Sequence, residues 1–156
     1  MWQTEIPGRG TLRLEHLVLD LNGTIARDGE LEPGVAERLT SLASRFAIYL
    51  VTADTRGRAS DLAARLGVRL ERVQPGREPE QKRDFVVRLG SQGVAAVGNG
   101  ANDAAMLREA ALGIAVLGPE GLAKEALLAA DVLVRDILDA LDLLLQPERL
   151  VATWRI

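Results

Sequence analysis

Four short polar segments interrupt the otherwise apolar stretches of the chain. They are Asp20-Leu21-Asn22-Gly23-Thr24, Thr52-Ala53-Asp54, Pro79-Glu80-Gln81-Lys82 and Gly98-Asn99-Gly100-Ala101-Asn102-Asp103. Between them they offer carboxylates, hydroxyls and a lysine. Phosphoryl transfer uses such a set, because it needs an oxygen nucleophile, a hard metal held by oxygen ligands, and cations or donors around the phosphate. The segments predict this chemistry if the fold brings them together.

The elements that must position these segments follow from the hydrophobic pattern. Short apolar runs predict strands at residues 16–21, 46–51, 68–73, 94–97, 112–117 and 131–134. Helical spacing between them predicts helices that include residues 79–89, 101–110, 122–129 and 137–145. This alternation predicts an α/β fold, a Rossmann-like three-layer sandwich with a mainly parallel sheet of five or six strands. Ligands bind outside the carboxyl ends of such strands, so we expect the four segments at one edge.

Three smaller features complete the predicted architecture. Residues 3–6 and 11–14 flank Pro7-Gly8-Arg9-Gly10, which predicts a small N-terminal hairpin. Residues 25–31, with Asp28-Gly29 as their turn, predict a flap beside the first segment. Pro147 is expected to stop the final helix and leave a short tail. Without a visible linker or repeat, residues 1–156 are interpreted as a single domain.

The four segments, taken in order, resemble the four motifs of the haloacid dehalogenase superfamily. The match is closest to the phosphorylation domain of P-type ATPases and to the small soluble relatives of those pumps. That domain has Asp-Lys-Thr-Gly-Thr, Thr-Gly-Asp, Pro-x-x-Lys and Gly-Asp-Gly-x-Asn-Asp. The resemblance covers about residues 17–145. It implies a Mg²⁺-dependent phosphohydrolase or phosphotransferase that acts on a small phosphorylated metabolite.

The resemblance also implies a role for individual residues. Asp20 would be the nucleophile and would form an aspartyl-phosphate, and Asn22, Thr52 and Lys82 would complete the catalytic set. The phosphate-binding residues would be Gly23, Thr24, Thr52, Ala53, Lys82 and Asn102. The Mg²⁺ ligands would be Asp20, the carbonyl group of Asn22, Asn99 and Asp103. Asp54 would help to position its neighbours.

Two asparagines depart from the superfamily pattern. Phosphatases of the superfamily have an aspartate two residues after the nucleophile as general acid and base, and here Asn22 cannot exchange a proton. Loss of general acid–base catalysis typically costs about 10²–10⁴-fold in rate. Asn99 replaces the first acid of the fourth motif, which is expected to weaken Mg²⁺ binding. Reduced turnover is therefore predicted.

The spacing of the motifs leaves no room for a cap domain. A helix, a strand and the flap fill the segment between Thr24 and Thr52, and the segment between Asp54 and Lys82 is equally short. An open site is predicted, with little surface for an adenine ring. Relatives without a cap often close their sites by oligomerising, so we expect a homo-oligomer.

Composition excludes several other classes of protein. The formal net charge is -3 and the pI is about 5.3, which argues against nucleic-acid and membrane partners. The chain has no cysteine and a single histidine, His16, so thiolate and multi-histidine metal sites are excluded. No apolar run approaches the roughly 18 residues of a membrane span. The N-terminus has no signal-peptide pattern, and a cytoplasmic location is predicted.

Two alternatives stay open at the level of the sequence. Asn22 and Asn99 favour a catalytically weak domain that binds phosphate or a partner protein without turnover. The other alternative is a soluble P-type ATPase-like protein, against which the missing nucleotide-binding insert argues. Among 19 basic residues only Lys82 and Lys124 are lysines, which favours a specific role for Lys82.

Overall fold

The computed structural model describes residues 1–54 and 57–156. The strands are β1 (Trp2–Ile6), β2 (Gly10–Leu14), β3 (His16–Asp20), β4 (Ala26–Arg27), β5 (Glu30–Leu31), β6 (Ala47–Thr52), β7 (Arg69–Arg72), β8 (Val94–Gly98), β9 (Leu112–Val116) and β10 (Val132–Val134). The α-helices are α1 (Val35–Leu42), α2 (Arg58–Leu66), α3 (Glu78–Leu89), α4 (Ala104–Glu109), α5 (Lys124–Ala129), α6 (Ile137–Leu145) and α7 (Pro147–Trp154). Short 3₁₀ turns at Ser91–Gly93 and Ala101–Asp103 precede β8 and α4.

Six of the strands form one parallel sheet in the order β10-β9-β8-β3-β6-β7. Within this sheet, β3 is the first strand in the sequence and lies in the middle. The strands β6 and β7 then follow on one side of β3, and β8, β9 and β10 follow on the other side. The strand order therefore reverses between β3 and β8, where open α/β sheets bind their ligands. The prediction of a mainly parallel sheet of five or six strands is confirmed.

Helices cover both faces of this sheet, which confirms the three-layer prediction. Alternate residues of a strand point to opposite faces, so Leu17 and Leu19 of β3 pack into one apolar cluster and Val18 into another. Helices α1, α2 and α6 cover the first face, and α3, α4 and α5 cover the second. Because both faces of the sheet are buried, the strand sequences are continuous apolar runs.

The N-terminal hairpin forms as predicted, with β1 and β2 antiparallel. It packs through buried Trp2, whose indole Nε1 donates to the carbonyl oxygen of Leu144 at 2.7 Å. The predicted tail after Pro147 is wrong, because Pro147 begins α7 instead of leaving irregular chain. Proline is accommodated at the first helical position, where its missing N–H has no intrahelical partner. Leu150 of this helix is buried.

The flap also forms as predicted and leaves the site without a cap. Strands β4 and β5 pair antiparallel around Asp28 and Gly29, both in the left-handed region at φ 51° and 82°. Within residues 1–54 and 57–156, neither the chain between β3 and β6 nor that between β6 and α3 contains a cap domain. The same described residues include no helix with the length and apolarity to cross a bilayer.

Candidate active site

Asp20 is the last residue of β3, the strand that lies between β6 and β8 in the middle of the sheet. Its side chain is buried, and the residue lies at the floor of a cavity of about 1150 Å³. The preceding residues, Leu17 to Leu19, are fully buried and fix the strand in the core. Asp20 is therefore held at the carboxyl edge of the sheet. This is the position, at the strand-order reversal, where open α/β sheets bind their ligands.

Lys82 connects the two buried aspartates of the site. Its Nζ donates to Asp20 Oδ1 at 3.0 Å and to Asp103 Oδ1 at 2.8 Å, and its side chain is 2% exposed. Helix α3 presents Lys82 inward together with Phe85 and Val86, so the lysine stem packs among apolar groups. A buried ammonium needs such partners, because an unpaired buried charge is very costly. The lysine of the third motif therefore lies beside the aspartates of the first and fourth motifs.

Asp103 lies behind Lys82, away from the cavity wall. The residue is fully buried, and its Oδ2 accepts hydrogen bonds from the backbone N–H groups of Asn99 at 3.1 Å and Gly100 at 2.9 Å. Both carboxylate oxygens are thus engaged, one by the lysine and one by the loop. Gly98 provides the necessary space, since a Cβ at that position would lie 2.6 Å from the Asp103 carboxyl carbon.

Electrostatics within this cluster are unusual. Burial, followed by the negative charge of Asp103, raises the pKa of the Asp20 carboxyl from 3.8 to about 7, although Lys82 and Thr24 act in the opposite direction. The pKa of Lys82 is raised by the two carboxylates, which outweigh the lowering effect of its burial. The lysine is therefore held charged next to an aspartate that resists ionisation. Incoming positive charge would favour the ionised form of Asp20.

Thr24 and Asn99 link the loop after β3 to the loop after β8. The Thr24 hydroxyl lies 3.3 Å from Asp20 Oδ2 and 3.1 Å from Asn99 Oδ1. The Asn99 amide Nδ2 donates onward to the carbonyl oxygen of Gly121 at 3.3 Å. Gly23 adopts φ 78°, and a Cβ there would lie 2.8 Å from Asn99 Nδ2. The tight approach of the two loops therefore requires glycine at position 23.

The remaining predicted residues surround the same cavity. Thr52 ends β6 and is buried, and its hydroxyl accepts a hydrogen bond from the Asp54 N–H at 3.1 Å. Asn22, Ala53 and Asn102 line the cavity. All residues predicted from the four motifs are thus brought to one edge of the sheet, although Gly23, Thr24 and Asp103 do not line the cavity itself.

Arg58 and Glu120 are two charged residues among the cavity lining that lies outside the four motifs. Arg58, at the start of α2, has its guanidinium over the flap, where a Cβ on Gly29 would lie 2.5 Å from Nη1. Glu120 follows β9, and its Oε1 lies 3.2 Å from the position that a Cβ on Gly23 would occupy. The rule that ligands meet the strand carboxyl ends points to Glu120, since the chain leaves β9 just before it.

The donors present fit a magnesium ion. Within the two described ranges, no group of three or more acidic, histidine or cysteine side chains could hold a metal ion. Mg²⁺ commonly binds through only one or two carboxylates, together with substrate phosphate and water. Asp20 and Asp103 supply two carboxylates that share one ammonium partner, and the nearby loops supply amide and carbonyl oxygens. The set contains hard oxygen donors, as Mg²⁺ prefers.

The layered parallel sheet and the buried carboxylate–lysine–carboxylate cluster at its edge define a Rossmann-like α/β protein with a polar site at the strand ends. The chain belongs to the haloacid dehalogenase-like hydrolases, whose family model matches residues 2–111. This confirms the superfamily assignment that the four motifs indicated.

Some known proteins resemble the chain in sequence and others in fold. An uncharacterized protein of Methanocaldococcus jannaschii is 52% identical over 62 residues, 40% of this chain and 67% of that protein. The probable copper-transporting ATPase SynA of Synechococcus elongatus is 37% identical over 111 residues, which are 69% of this chain but 14% of the ATPase. A 3-deoxy-D-manno-octulosonate 8-phosphate phosphatase of Moraxella catarrhalis matches with a TM-score of 0.72 and 16% identity, over 92% and 95% of the two chains. This last likeness shows the fold alone.

Proposed function

We propose that the protein is a Mg²⁺-dependent phosphohydrolase or phosphotransferase that forms an aspartyl-phosphate on Asp20. The observation that supports this most strongly is the buried cluster in which Lys82 pairs with Asp20 and Asp103 at the floor of the cavity. The cluster offers a carboxylate to a phosphorus atom and a fixed ammonium to the phosphate oxygens. The family and its phosphatase members of similar fold agree with this proposal.

The proposed reaction has two steps at one carboxylate. In the first, an Asp20 oxygen forms a bond to phosphorus while the bond to the leaving oxygen breaks, and that oxygen takes a proton from water. In the second, a water oxygen attacks phosphorus, the bond to Asp20 breaks and the proton passes to solvent. Lys82 and the Thr52 hydroxyl would hold the phosphoryl oxygens, with Gly23, Thr24, Ala53 and Asn102 shaping the phosphate site.

Magnesium held by Asp20, the Asn22 carbonyl group, Asn99 and Asp103 would offset negative charge on the phosphate. Asn22 cannot donate or accept the proton in either step, which supports reduced turnover. Small phosphorylated metabolites fit a cavity of about 1150 Å³ that no cap encloses in the described part of the chain. The cytoplasmic location, the homo-oligomer and the single-domain organisation stay predictions from the sequence.

The test compares the protein with its Asp20→Asn variant in a screen of sugar phosphates, nucleotides and an aryl phosphate with Mg²⁺. The variant keeps volume and hydrogen bonding but lacks the nucleophile, so activity should fall below about 1% of the original. Asp61→Asn, at an exposed aspartate of α2 that lines the same cavity, is the matched control and should keep activity. Turnover above that level in Asp20→Asn would exclude the covalent route.

The second candidate function is phosphate or partner binding without turnover. Asn22 and Asn99 favour it, because each replaces an acid that the superfamily uses. In that case the screen would find no turnover, while inorganic phosphate would still raise the melting temperature in a Lys82-dependent way.

A further inference from the structure

The loop after β9 brings a carboxylate to the site that belongs to none of the four motifs. Gly118 and Gly121 close this loop, with the Gly121 N–H donating to the Gly118 carbonyl oxygen at 3.0 Å. Glu120 lies at its tip, exposed to the cavity. Its Oε1 is 3.2 Å from the position that a Cβ on Gly23 would occupy, so the carboxylate lies against the loop that follows the nucleophile.

Asn99 holds this loop in place. Its Nδ2 donates to the Gly121 carbonyl oxygen at 3.3 Å, and its Oδ1 lies 3.1 Å from the Thr24 hydroxyl. Nδ2 and the Glu120 carboxylate approach the same point above Gly23, at 2.8 and 3.2 Å respectively, so these two atoms are no more than about 6 Å apart. Position 99 and position 120 are therefore close neighbours, although 20 residues lie between them in the sequence.

The chemistry of the two positions is complementary. An aspartate at position 99 would have no N–H for the Gly121 carbonyl oxygen, and its charge would face both that oxygen and Glu120. An asparagine at 99 makes the contact and tolerates the nearby carboxylate. Asp20 lines the cavity, whereas Asp103 lies behind Lys82 with both of its oxygens hydrogen-bonded, so a further carboxylate on the cavity side would strengthen the magnesium site.

We propose that Glu120 supplies the magnesium site with the carboxylate charge that Asn99 lacks. The carboxylate thus comes from the loop after β9 instead of the loop after β8, and the Asn99 amide holds that loop in place. The inference rests on the proposed function, because it concerns the magnesium ion of that same site. It names Glu120 as an affinity-determining residue and assigns it no proton transfer.

A carboxylate near a divalent cation raises its affinity, by an amount that falls with distance and with salt. For an exposed carboxylate at the cavity wall we expect the loss of Glu120 to weaken Mg²⁺ binding about threefold to tenfold. Restoring an acid at position 99 in the absence of Glu120 should recover most of that loss.

The experiment is a calorimetric titration of Mg²⁺ into the full chain at low salt. It compares the original protein with Glu120→Gln, Asn99→Asp and the double variant Asn99→Asp/Glu120→Gln. Glu37→Gln is the matched control, because Glu37 is an exposed acid of α1 that lines the same cavity. Melting temperatures without Mg²⁺ establish that every variant is folded.

Glu120→Gln should bind Mg²⁺ threefold to tenfold more weakly, Glu37→Gln should bind it normally, and the double variant should return to within about twofold of the original. The proposal is wrong if Glu120→Gln binds Mg²⁺ with unchanged affinity. It is also wrong if the double variant binds Mg²⁺ no more tightly than Glu120→Gln. If the original protein binds no Mg²⁺ at all, the magnesium requirement of the proposed function fails instead. The two failures are thus distinguished by the unmutated protein.

Discussion

Replacing Asp20 with asparagine is expected to change how the stability of the protein depends on pH. In the folded chain, burial and the charge of Asp103 raise the pKa of the Asp20 carboxyl from 3.8 to about 7. Between these two pH values the folded state holds a proton that the unfolded chain has already released. The free energy of unfolding must therefore fall as the pH rises through this window. Above pH 7 this group adds no further slope.

The size of the effect follows from the two pKa values. One pKa unit corresponds to 1.36 kcal/mol, so a carboxyl that titrates at about 7 instead of 3.8 removes about 4 kcal/mol of stability between pH 4 and pH 8. The Asp20→Asn variant has no proton to lose there, and Lys82 keeps its contact with Asp103. The free energy of unfolding of the variant, relative to that of the original protein, should therefore rise by about 4 kcal/mol between pH 4 and pH 8.

Urea denaturation at five pH values, with Mg²⁺ removed by a chelator, measures this difference. Trp2 is fully buried and reports unfolding by its fluorescence. Taking the difference between the two proteins at each pH cancels the titration of the groups that do not interact with Asp20, so it reports the cluster of Asp20, Lys82 and Asp103. Asp61→Asn is again the control for the loss of a cavity carboxylate outside the cluster. A difference that stays constant for Asp20→Asn would show that pairing with Lys82 balances or outweighs burial and the charge of Asp103.

Three further outcomes are expected. Lys82→Met should lower the free energy of unfolding by about 3–5 kcal/mol at pH 8 in urea titrations, because it leaves two buried carboxylates without a cation, whereas Lys82→Arg should lose less. Asn22→Asp should raise turnover of alkyl phosphates up to about 10²-fold, and that of aryl phosphates less, because good leaving groups need little protonation. Gly113→Ala should cost about 2 kcal/mol or more in thermal denaturation, since a Cβ there would collide with the Leu107 carbonyl oxygen. Equal effects on both phosphate classes, or an unchanged melting temperature in the glycine variant, would contradict the last two.

The local sequence pattern was sufficient to predict most of the fold and to locate the four motifs. Strands β3, β6 and β8 are continuous apolar runs because both faces of the sheet are covered, and each run stops where a polar segment begins. The flap could be predicted from Asp28-Gly29, whose left-handed conformations suit a tight turn between two short strands. The error at α7 arose because a proline was interpreted as the end of one helix, whereas it also suits the start of the next.

Features that depend on contacts between distant segments could not be predicted in this way. Asp103 belongs to the fourth motif, yet only the fold shows that both of its oxygens are engaged behind Lys82. Asn99 contacts Thr24 across 75 residues of chain, and no periodicity reports such a pair. Glu120 could have been found, because it follows a predicted strand as the four motifs do.

The burial of Lys82 gives the chain an internal reporter of motion. Amine-reactive reagents modify lysines that are exposed and uncharged, and Lys82 is 2% exposed with a raised pKa. The other lysine, Lys124, is exposed, and the remaining 17 basic residues are arginines that such reagents leave untouched. Acylation of Lys124 and of the terminal amine therefore sets the reference rate in the same tube. The much slower labelling of Lys82, read by peptide mass, measures how often its ammonium group is released from Asp20 and Asp103.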